Sequence, residues 1–223
     1  MSSSSPAAVA TDPRCIPVKL TAPIPVGDAL GLDRERVPAL ADVSRKLESA
    51  TRWRIARTPG LLDAHDFFAH LARRIFPCTD YIRARTELDY TPAPDCFHDI
   101  FGHTPMLMHP RFADFYQKIG QAALNCRAAA AEESLTRLYW FTVEFGLIRN
   151  RSGLRIYGNG IISSFAETQH SLTDAVTKLA FTPERTAGQP YDIWHFQDTL
   201  FVIDSFDHLE REFVRWARQR RLL

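Results

Sequence analysis

Residues 94–105 read PDCFHDIFGHTP and place two histidines, His98 and His103, five positions apart. An α-helix turns by about 100° per residue, so side chains five apart point roughly 140° away from each other. Two such histidines cannot face one metal ion from an unbroken helix. Gly102 and Pro105 are residues that end or distort a helix. We therefore expect the helix to fade there, so that His103 can turn back toward His98.

A second histidine pair provides a contrast. His65 and His70, in HDFFAH, have the same spacing and nearly the same neighbours. They lie inside DAHDFFAHLARRIF, whose apolar residues recur at helical spacing with no glycine or proline between them. Because nothing interrupts this helix, its two histidines should point apart. The sequence therefore predicts surface or boundary histidines at His65 and His70, and a candidate metal pair at His98 and His103.

A metal needs more than two ligands, and Glu144 is a candidate for the third. It is the single acid in the aromatic and aliphatic stretch LYWFTVEFGL. A buried carboxylate is costly unless a metal or a cation pairs with it; alternatively, Glu144 reaches the surface or pairs with an arginine. Two histidines and one carboxylate form the ligand set of non-haem Fe(II) oxygenases, and also of zinc hydrolases. No HExxH motif occurs, and the residues alone leave the metal open.

The composition excludes several classes of protein. The 27 basic and 26 acidic residues of this 223-residue chain nearly cancel, which argues against nucleic-acid or membrane partners. No apolar run reaches the ~18 residues of a membrane span, and the N-terminus lacks the pattern of a signal peptide. The four cysteines form no CxxC pair, which is typical of reduced thiols in the cytoplasm. They are Cys15, Cys78, Cys96 and Cys126.

The pattern along the chain predicts one mainly α domain with a few short strands. Residues 1–30, rich in Ser, Ala and Pro, are expected to be a disordered or extended tail, and residues 31–223 a single catalytic domain. Strands are expected in IARTPGLL, LRIYGNGIISSF and TLFVIDSF. Helices are expected in VPALADVSRKLESATRW, DAHDFFAHLARRIF, the stretch from Asp95 to Pro105, RFADFYQKIGQAAL, EESLTRLYWFTVEFGLI and DHLEREFVRWARQRRLL.

An ordered set of motifs resembles one family. VPALADVSRKLESATRWR, PGLL, FPCTDYIR, YTPAPDCFHDIFGHTP, LYWFTVEFGL, YGNGIISSFAE and FVIDSF occur in this order over residues 33–218. The chain thereby resembles the catalytic domain of the pterin-dependent aromatic amino acid hydroxylases, and most of all the bacterial members that act on phenylalanine. The resemblance implies Fe(II), tetrahydrobiopterin or a related tetrahydropterin, and O2 as co-substrate.

The resemblance also implies a role for each site residue. Iron would be held by His98, His103 and Glu144, with Tyr139 close to the iron and the pterin. The pterin would lie against Gly60, Leu61, Leu62 and Phe67. The substrate would meet Arg83 at its carboxylate, Thr91 and Ser163 near its amino and carboxylate groups, and the aromatic walls Trp140 and Phe145, while Asp95 and Glu167 orient the arginine.

The implied reaction is ring hydroxylation of a free aromatic amino acid, with L-phenylalanine converted to L-tyrosine. Among these relatives, a tryptophan at the Trp140 position accompanies phenylalanine or tyrosine substrates. Alternatives are the same chemistry on tryptophan, or at the meta position of phenylalanine. Two alternatives belong to other classes of protein: a zinc hydrolase, and a non-catalytic protein that binds pterin or amino acids.

Several residues depart from the family pattern. Asp99 stands where the animal enzymes have glutamate, Asn159 stands where an alanine is usual, and Trp194 and His195 replace smaller or acidic residues. These changes leave the ligand set intact and bear on the substrate and the ring position attacked. The regulatory domain and the C-terminal tetramerisation helix of animal members are not recognisable. We therefore expect a cytoplasmic monomer or weak dimer that binds only its amino acid and pterin.

Overall fold

The computed structural model of this chain describes residues 30–33, 36–87, 93–151 and 153–223. The expected N-terminal tail, apart from Leu30, and the candidate substrate residue Thr91 lie outside the described residues. The predicted fold class is confirmed, because helices dominate and the strands are short. Among the described residues, no helix combines the length and the apolar character that crossing a membrane requires.

Each stretch predicted as helical contains helix, and three short helices were not predicted: α6, α7 and α8. The helices are α1 (Leu40–Thr51), α2 (Ala64–Ala72), α3 (Thr104–Leu107), α4 (Pro110–Leu124), α5 (Ala129–Tyr139), α6 (Asn159–Ile162), α7 (Phe165–His170), α8 (Pro183–Gly188) and α9 (Phe206–Gln219), with a 3₁₀ turn at Arg85–Glu87. The strands are β1 (Arg54–Thr58), β2 (Ile75–Thr79), β3 (Gly146–Asn150), β4 (Gly153–Ile156), β5 (Thr177–Ala180) and β6 (Thr199–Ile203).

The strands form two small sheets. β1 and β2 run parallel, with Arg54 opposite Ile75 and Thr58 opposite Thr79. The second sheet has the order β4-β3-β6-β5, in which only the β3–β4 pair is antiparallel. The three predicted strands are thus confirmed as β1, β4 and β6, whereas β2, β3 and β5 were not predicted.

The prediction that one helix runs from Asp63 to Phe76 was wrong at its end. The helix α2 stops at Ala72, and Arg74 adopts a left-handed backbone conformation with φ of 58°. The Arg74 guanidinium then donates to the Thr51 carbonyl oxygen at 2.6 Å and to Gln117 at 2.9 Å, which fixes the turn. Phe76 is buried as expected, but it points inward from strand β2.

The core surrounds α4, whose Phe112, Phe115 and Ile119 are fully buried. Gly120 allows α2 to pack directly on this helix, since a Cβ atom there would lie 2.4 Å from the Ala72 backbone nitrogen. On the other side α9 presents Phe213, which meets Phe115 edge-on with ring centroids 5.3 Å apart. This packing makes α4 the rigid element against which the histidine segment is held.

The histidine segment departs from the sequence prediction. We expected the helix to fade at Gly102, but it widens instead into a π-helical turn over His98–His103 and continues into α3. The Thr104 N–H donates to the Asp99 carbonyl oxygen, five residues back, which is the hydrogen bond of a π-helix. Single π turns inside α-helices occur frequently at functional sites.

A second π turn follows α5. It covers Trp140–Glu144, and the Phe145 N–H donates to the Trp140 carbonyl oxygen at 2.9 Å. The single helix predicted for EESLTRLYWFTVEFGLI is therefore divided into α5, this turn and strand β3. The β-branched and aromatic residues in the middle of that stretch favour such a change of conformation.

Candidate metal centre

The first π turn brings the two histidines of residues 94–105 together. In a π-helical turn, hydrogen bonds join residues five apart and place those residues on one face of the helix. In an α-helix the same residues would point apart. The Nε2 atoms of His98 and His103 consequently lie 2.7 Å apart. In contrast, His65 and His70 sit on the regular helix α2, where His65 is exposed and His70 is bonded to the Asp66 carbonyl oxygen. The predicted distinction between the two pairs is confirmed.

Glu144 completes the cluster from the second π turn. Its Oε1 lies 3.3 Å from His103 Nε2, and its Oε2 lies 3.6 Å from His98 Nε2. One ligand atom from each residue fits within 4.8 Å of the others. Glu144 is buried, and no arginine of the described residues pairs with it. The alternatives of a surface glutamate or an arginine pair are therefore wrong.

The glycines of the YGNG motif allow this close approach. A Cβ atom at Gly158 would lie 2.3 Å from the Glu144 backbone oxygen, so only glycine fits there. The backbone N–H of Gly160 donates to the Glu144 carboxylate, as does the Tyr139 hydroxyl. Glu144 is thus held by the loop on one side and by α5 on the other.

The protonation states favour a bound cation. Burial lowers the pKa of His98 to about 4, helped by the nearby Arg83, and lowers the pKa of His103 well below its usual value. Both imidazoles are therefore neutral and keep a lone pair for a metal. Burial also raises the pKa of Glu144 to about 8, against the hydrogen bond from Tyr139. A divalent cation would stabilise the ionised carboxylate.

Ser163 fixes the orientation of His98. Its Oγ lies 2.6 Å from His98 Nδ1 and donates in turn to the Gly160 carbonyl oxygen at 3.3 Å. When the Nδ1 hydrogen is donated to this hydroxyl, the Nε2 lone pair is free to face Glu144. A second hydrogen bond of this kind is the usual support for a metal-binding histidine.

A charged pair lies next to the histidines. The Arg83 guanidinium donates to both carboxylate oxygens of Asp95 and to the Ser163 carbonyl oxygen, at 2.7 to 3.2 Å. Burial alone would raise the pKa of Asp95, but the hydrogen bonds from Arg83 and from the backbone lower it below its usual value. Asp95 therefore orients Arg83 as predicted. Burial raises the pKa of Glu167 to about 7, and its Oε1 has no hydrogen-bond partner in the described part of the chain.

These groups share one cavity of about 440 Å³, a size typical of small-ligand sites. Its lining combines the metal cluster, the arginine, two further acids and a large apolar surface. The lining residues are Leu61, Leu62, Ala64, Phe67, Phe68, Phe76, Arg83, Pro94, His98, Asp99, His103, Thr136, Tyr139, Trp140, Glu144, Phe145, Gly160, Ser163, Ser164, Glu167, Tyr191 and Ile193.

An aromatic stack forms part of the cavity wall. The Trp140 indole lies between Phe145 and Tyr191, with ring centroids 4.9 and 4.6 Å away and planes inclined by less than 30°. Phe67 meets Tyr139 edge-on at 5.3 Å. Such a wall suits a flat apolar ligand.

Some predicted site residues lie outside the cavity wall. Gly60 does not line the cavity, and Asp95 acts from behind Arg83. Trp194 is 67% exposed, and His195 is also exposed and pairs with Asp192; neither lines the cavity. Asn159 is fully buried and contacts His103 at Nδ1.

The sequence did not single out Tyr191 or Tyr116, and it noted Asp99 only as a departure from the family pattern. Asp99 and Tyr191 line the cavity. Burial raises the pKa of Asp99 to about 6, although Thr79 donates two hydrogen bonds to its Oδ2. The signal available for Asp99 was its position next to His98 in the sequence. No local pattern marks Tyr116 or Tyr191, because each reaches the site from a separate helix or loop.

The fold and this cluster define a metal centre of the two-histidine, one-carboxylate type beside an aromatic-lined cavity. Residues 25–222 match the biopterin-dependent aromatic amino acid hydroxylase family. This chain belongs to that family, as its ordered motifs predict.

Individual relatives agree with this assignment. The phenylalanine-4-hydroxylase of Ralstonia nicotianae is 48% identical over 181 residues, which is 81% of this chain and 58% of that protein. The tyrosine 3-monooxygenase of Rattus norvegicus is 41% identical over 187 residues, 84% of this chain and 37% of that protein. This chain therefore spans less than two thirds of the length of these relatives.

A solved structure shows the same fold. The crystal structure of Chromobacterium violaceum phenylalanine hydroxylase, with bound iron(III) and the oxidised cofactor 7,8-dihydrobiopterin, superimposes with a TM-score of 0.83. The two sequences are 41% identical, and the match covers 87% of this chain and 72% of that one.

Proposed function

We propose that this chain is an Fe(II)- and tetrahydropterin-dependent monooxygenase that hydroxylates the ring of a free aromatic amino acid, converting L-phenylalanine to L-tyrosine. One observation carries the proposal: two neutral imidazoles and one buried carboxylate converge on the cavity that also contains Arg83 and an aromatic wall. Family membership and the relatives that act on phenylalanine support the same reaction.

The donor set fits iron. His98, His103 and Glu144 would hold Fe(II) and leave coordination positions open, as in other oxygenases of this ligand type. Fe(II) and a tetrahydropterin, when bound, supply the dioxygen activation and the two electrons that side chains cannot supply. The protein contributes ligand orientation, through Ser163 on His98 and through Tyr139 on Glu144.

The amino acid would bind through its two ends. Arg83, held by Asp95, presents a planar guanidinium that suits a bidentate contact with the substrate carboxylate. Ser163, and Thr91 from outside the described residues, would assist there. Trp140 and Phe145, with Tyr191 behind the indole, would contact the ring and exclude water from the reacting carbon.

The pterin would lie against the loop that precedes α2. Leu61 and Leu62 line the cavity there, and Phe67 adds an aromatic face near Tyr139. Leu61 is 68% exposed, and a flat ligand in the cavity would cover part of it. Backbone groups from Gly60 to Leu62 would pair with the polar edge of the pterin.

The cellular setting follows from the same features. We propose a cytoplasmic enzyme that works as a monomer or weak dimer on two small molecules. The described cysteines, Cys78, Cys96 and Cys126, are all free thiols, as a reducing compartment would keep them. Light scattering on the purified chain should give a mass near 25.4 kDa, with at most weak dimerisation at high concentration.

Oxygen uptake after anaerobic metal loading tests the reaction. The Fe(II)-loaded chain should consume dioxygen rapidly only when both a tetrahydropterin and phenylalanine are present, and the zinc-loaded chain should not. Uptake that does not depend on pterin, or full activity with zinc, would contradict the proposal. A protein that binds pterin and phenylalanine but consumes no oxygen would be a binding protein.

A further inference from the structure

Tyr116 of α4 contacts His103 at Nδ1, the ring nitrogen turned away from Glu144. The Tyr116 hydroxyl oxygen lies 2.5 Å from that nitrogen, and both side chains are buried. The tyrosine ring packs edge-on against Trp53 at 5.7 Å and against Phe112 at 5.1 Å. Because its ring is enclosed by the core, the hydroxyl has a fixed position relative to His103.

A second tyrosine lies beside Tyr116. The Tyr139 ring meets the Tyr116 ring edge-on, with centroids 6.0 Å apart, and its hydroxyl is on the side of the Glu144 carboxylate. His103 and Glu144, two of the three candidate ligands, are thus each supported from behind by a tyrosine.

The direction of the hydrogen bond between His103 and Tyr116 follows from counting protons. If His103 Nε2 is a ligand, the single proton of the neutral imidazole is on Nδ1, which must donate. The Tyr116 hydroxyl oxygen can accept that hydrogen bond, so Tyr116 supports the tautomer that leaves Nε2 free for a metal.

Asn159 adds a second contact at the same point. Its Nδ2 donates to the Tyr116 hydroxyl oxygen at 2.8 Å and lies 3.0 Å from His103 Nδ1. The Tyr116 hydroxyl oxygen can therefore accept two hydrogen bonds, its full capacity as an acceptor. The Asn159 Oδ1 atom is buried without a partner among the described residues, which costs free energy of folding. Because of this cost, the Asn159 amide contributes more to the position of Tyr116 than to the stability of the fold.

We infer that Tyr116 and Asn159 are positioning residues for the metal centre, which hold His103 in the orientation and tautomer that a metal at Nε2 requires. This inference rests on the proposed function, because it assigns these residues to the iron site. Neither residue lines the cavity, so their effect on a ligand in the cavity is indirect.

Metal binding, measured without catalysis, tests the inference. Anaerobic titrations with Fe(II), and with Co(II) as a visible-absorbing probe, give the dissociation constant of the whole chain. Tyr116→Phe removes only the hydroxyl and should weaken the binding of both metals by about 10- to 100-fold, the usual effect of losing such a support. Asn159→Ala should weaken binding less, and its metal-free melting temperature should not fall, because an unpaired amide oxygen is removed.

Tyr157→Phe is the matched control. Tyr157 is another buried tyrosine packed against Phe112, but its hydroxyl has no hydrogen-bond partner within the described ranges. This variant should bind Co(II) as the unmodified chain does. A structural effect of losing a buried hydroxyl would appear in both Tyr→Phe variants, whereas loss of positioning would appear only in Tyr116→Phe.

A spectroscopic measurement separates positioning from stability. In the Co(II)-loaded chain, the exchangeable Nδ1 proton of His103 should exchange with deuterium faster in Tyr116→Phe than in the unmodified protein. Wild-type metal affinity in both Tyr116→Phe and Asn159→Ala would overturn the inference, and if Tyr116→Phe does not fold, wild-type affinity in Asn159→Ala alone would do so. Failure of the unmodified chain to bind either metal would instead overturn the proposed function.

Discussion

Arg83 and Asp95 are joined by two parallel hydrogen bonds, from Nε to Oδ2 at 2.9 Å and from Nη2 to Oδ1 at 2.7 Å. Both side chains are almost completely buried, with exposed fractions of 5% and 0%. A buried, bidentate pair holds the guanidinium plane in one orientation. The N–H groups of Arg83 that are not bonded to Asp95 therefore have a fixed orientation, which suits the binding of a second planar anion.

The Arg83 pair gives the first prediction. Arg83→Lys should lower kcat/KM for phenylalanine by roughly 10- to 100-fold, because one charge-assisted bidentate contact is worth about 1.5–3 kcal/mol and a lysine lacks the planar fork. Steady-state kinetics measure this loss. Arg57→Lys is the matched control, since Arg57 also pairs with an aspartate, donating from Nε and Nη2 to Asp80 Oδ2, but at the surface. Equal use of phenethylamine, which has no carboxylate, would refute the assignment of Arg83.

The second prediction concerns the pterin. Phe67→Ala should raise the KM for the tetrahydropterin at least several-fold and leave the KM for phenylalanine nearly unchanged, because Phe67 offers a flat surface to a flat ring. Kinetics with each substrate varied in turn measure both constants. A variant with normal pterin kinetics and a lower melting temperature would show that Phe67 serves only the packing around Phe68 and Tyr139.

Most of the fold could be predicted from the sequence where a long periodic stretch and strong local signals agreed. The helices α1, α4 and α9 are such stretches, and their apolar faces are buried as the spacing predicts. Strand β2 was missed because IFPCT follows a helical pattern without a glycine or an earlier proline to separate them. Its strand conformation depends on pairing with β1, which is a tertiary interaction that local propensity does not report.

The clustering of His98, His103 and Glu144 agrees with the sequence prediction, but the expected fading of the helix was wrong. The helix does not end at Gly102 or Pro105; it is distorted into a π turn that places His98 and His103 on one face. A π turn has no reliable local signal in sequence. Tyr116 and Asn159 could not be assigned either, since their contacts with His103 span 13 and 56 residues of chain.

The third prediction is a pH dependence of stability. Burial raises the pKa of Glu167 to about 7 in the folded chain, against a usual value of 4.5. The unfolded chain therefore releases this proton first, so folding loses stability as the pH rises from about 4.5 and the loss is complete above about pH 7. Glu167→Gln stays neutral and should avoid this loss.

The melting temperature of Glu167→Gln, compared with the unmodified chain without substrate, measures this effect. The two proteins should melt at similar temperatures near pH 5, and the variant should melt higher at pH 8. Asp174→Asn, which removes the charge of an exposed acid, is the matched control. A difference that stays constant from pH 5 to pH 8 would show that Glu167 does not titrate in this range.

The fourth prediction concerns substrate choice. Trp140 is stacked between Phe145 and Tyr191, so an indole substrate would have to share space that one indole already fills. Overpacking of this kind costs about 1–3 kcal/mol. Trp140→Phe should therefore raise the kcat/KM ratio of tryptophan to phenylalanine by roughly fivefold or more. A wild-type preference for tryptophan would overturn the choice of substrate and leave the metal chemistry untouched.

The central claim is that the iron held by His98, His103 and Glu144 supports ring hydroxylation, and product analysis tests it most directly. The Fe(II)-loaded chain is incubated with phenylalanine, a tetrahydropterin and isotopically labelled dioxygen, and the products are separated against para- and meta-tyrosine standards. We predict para-tyrosine that carries one labelled oxygen, none from the alanine variants of the three ligands, and near-normal amounts from His65→Ala and His70→Ala. Absence of labelled tyrosine from the unmodified chain, or equal loss from both histidine pairs, would contradict it.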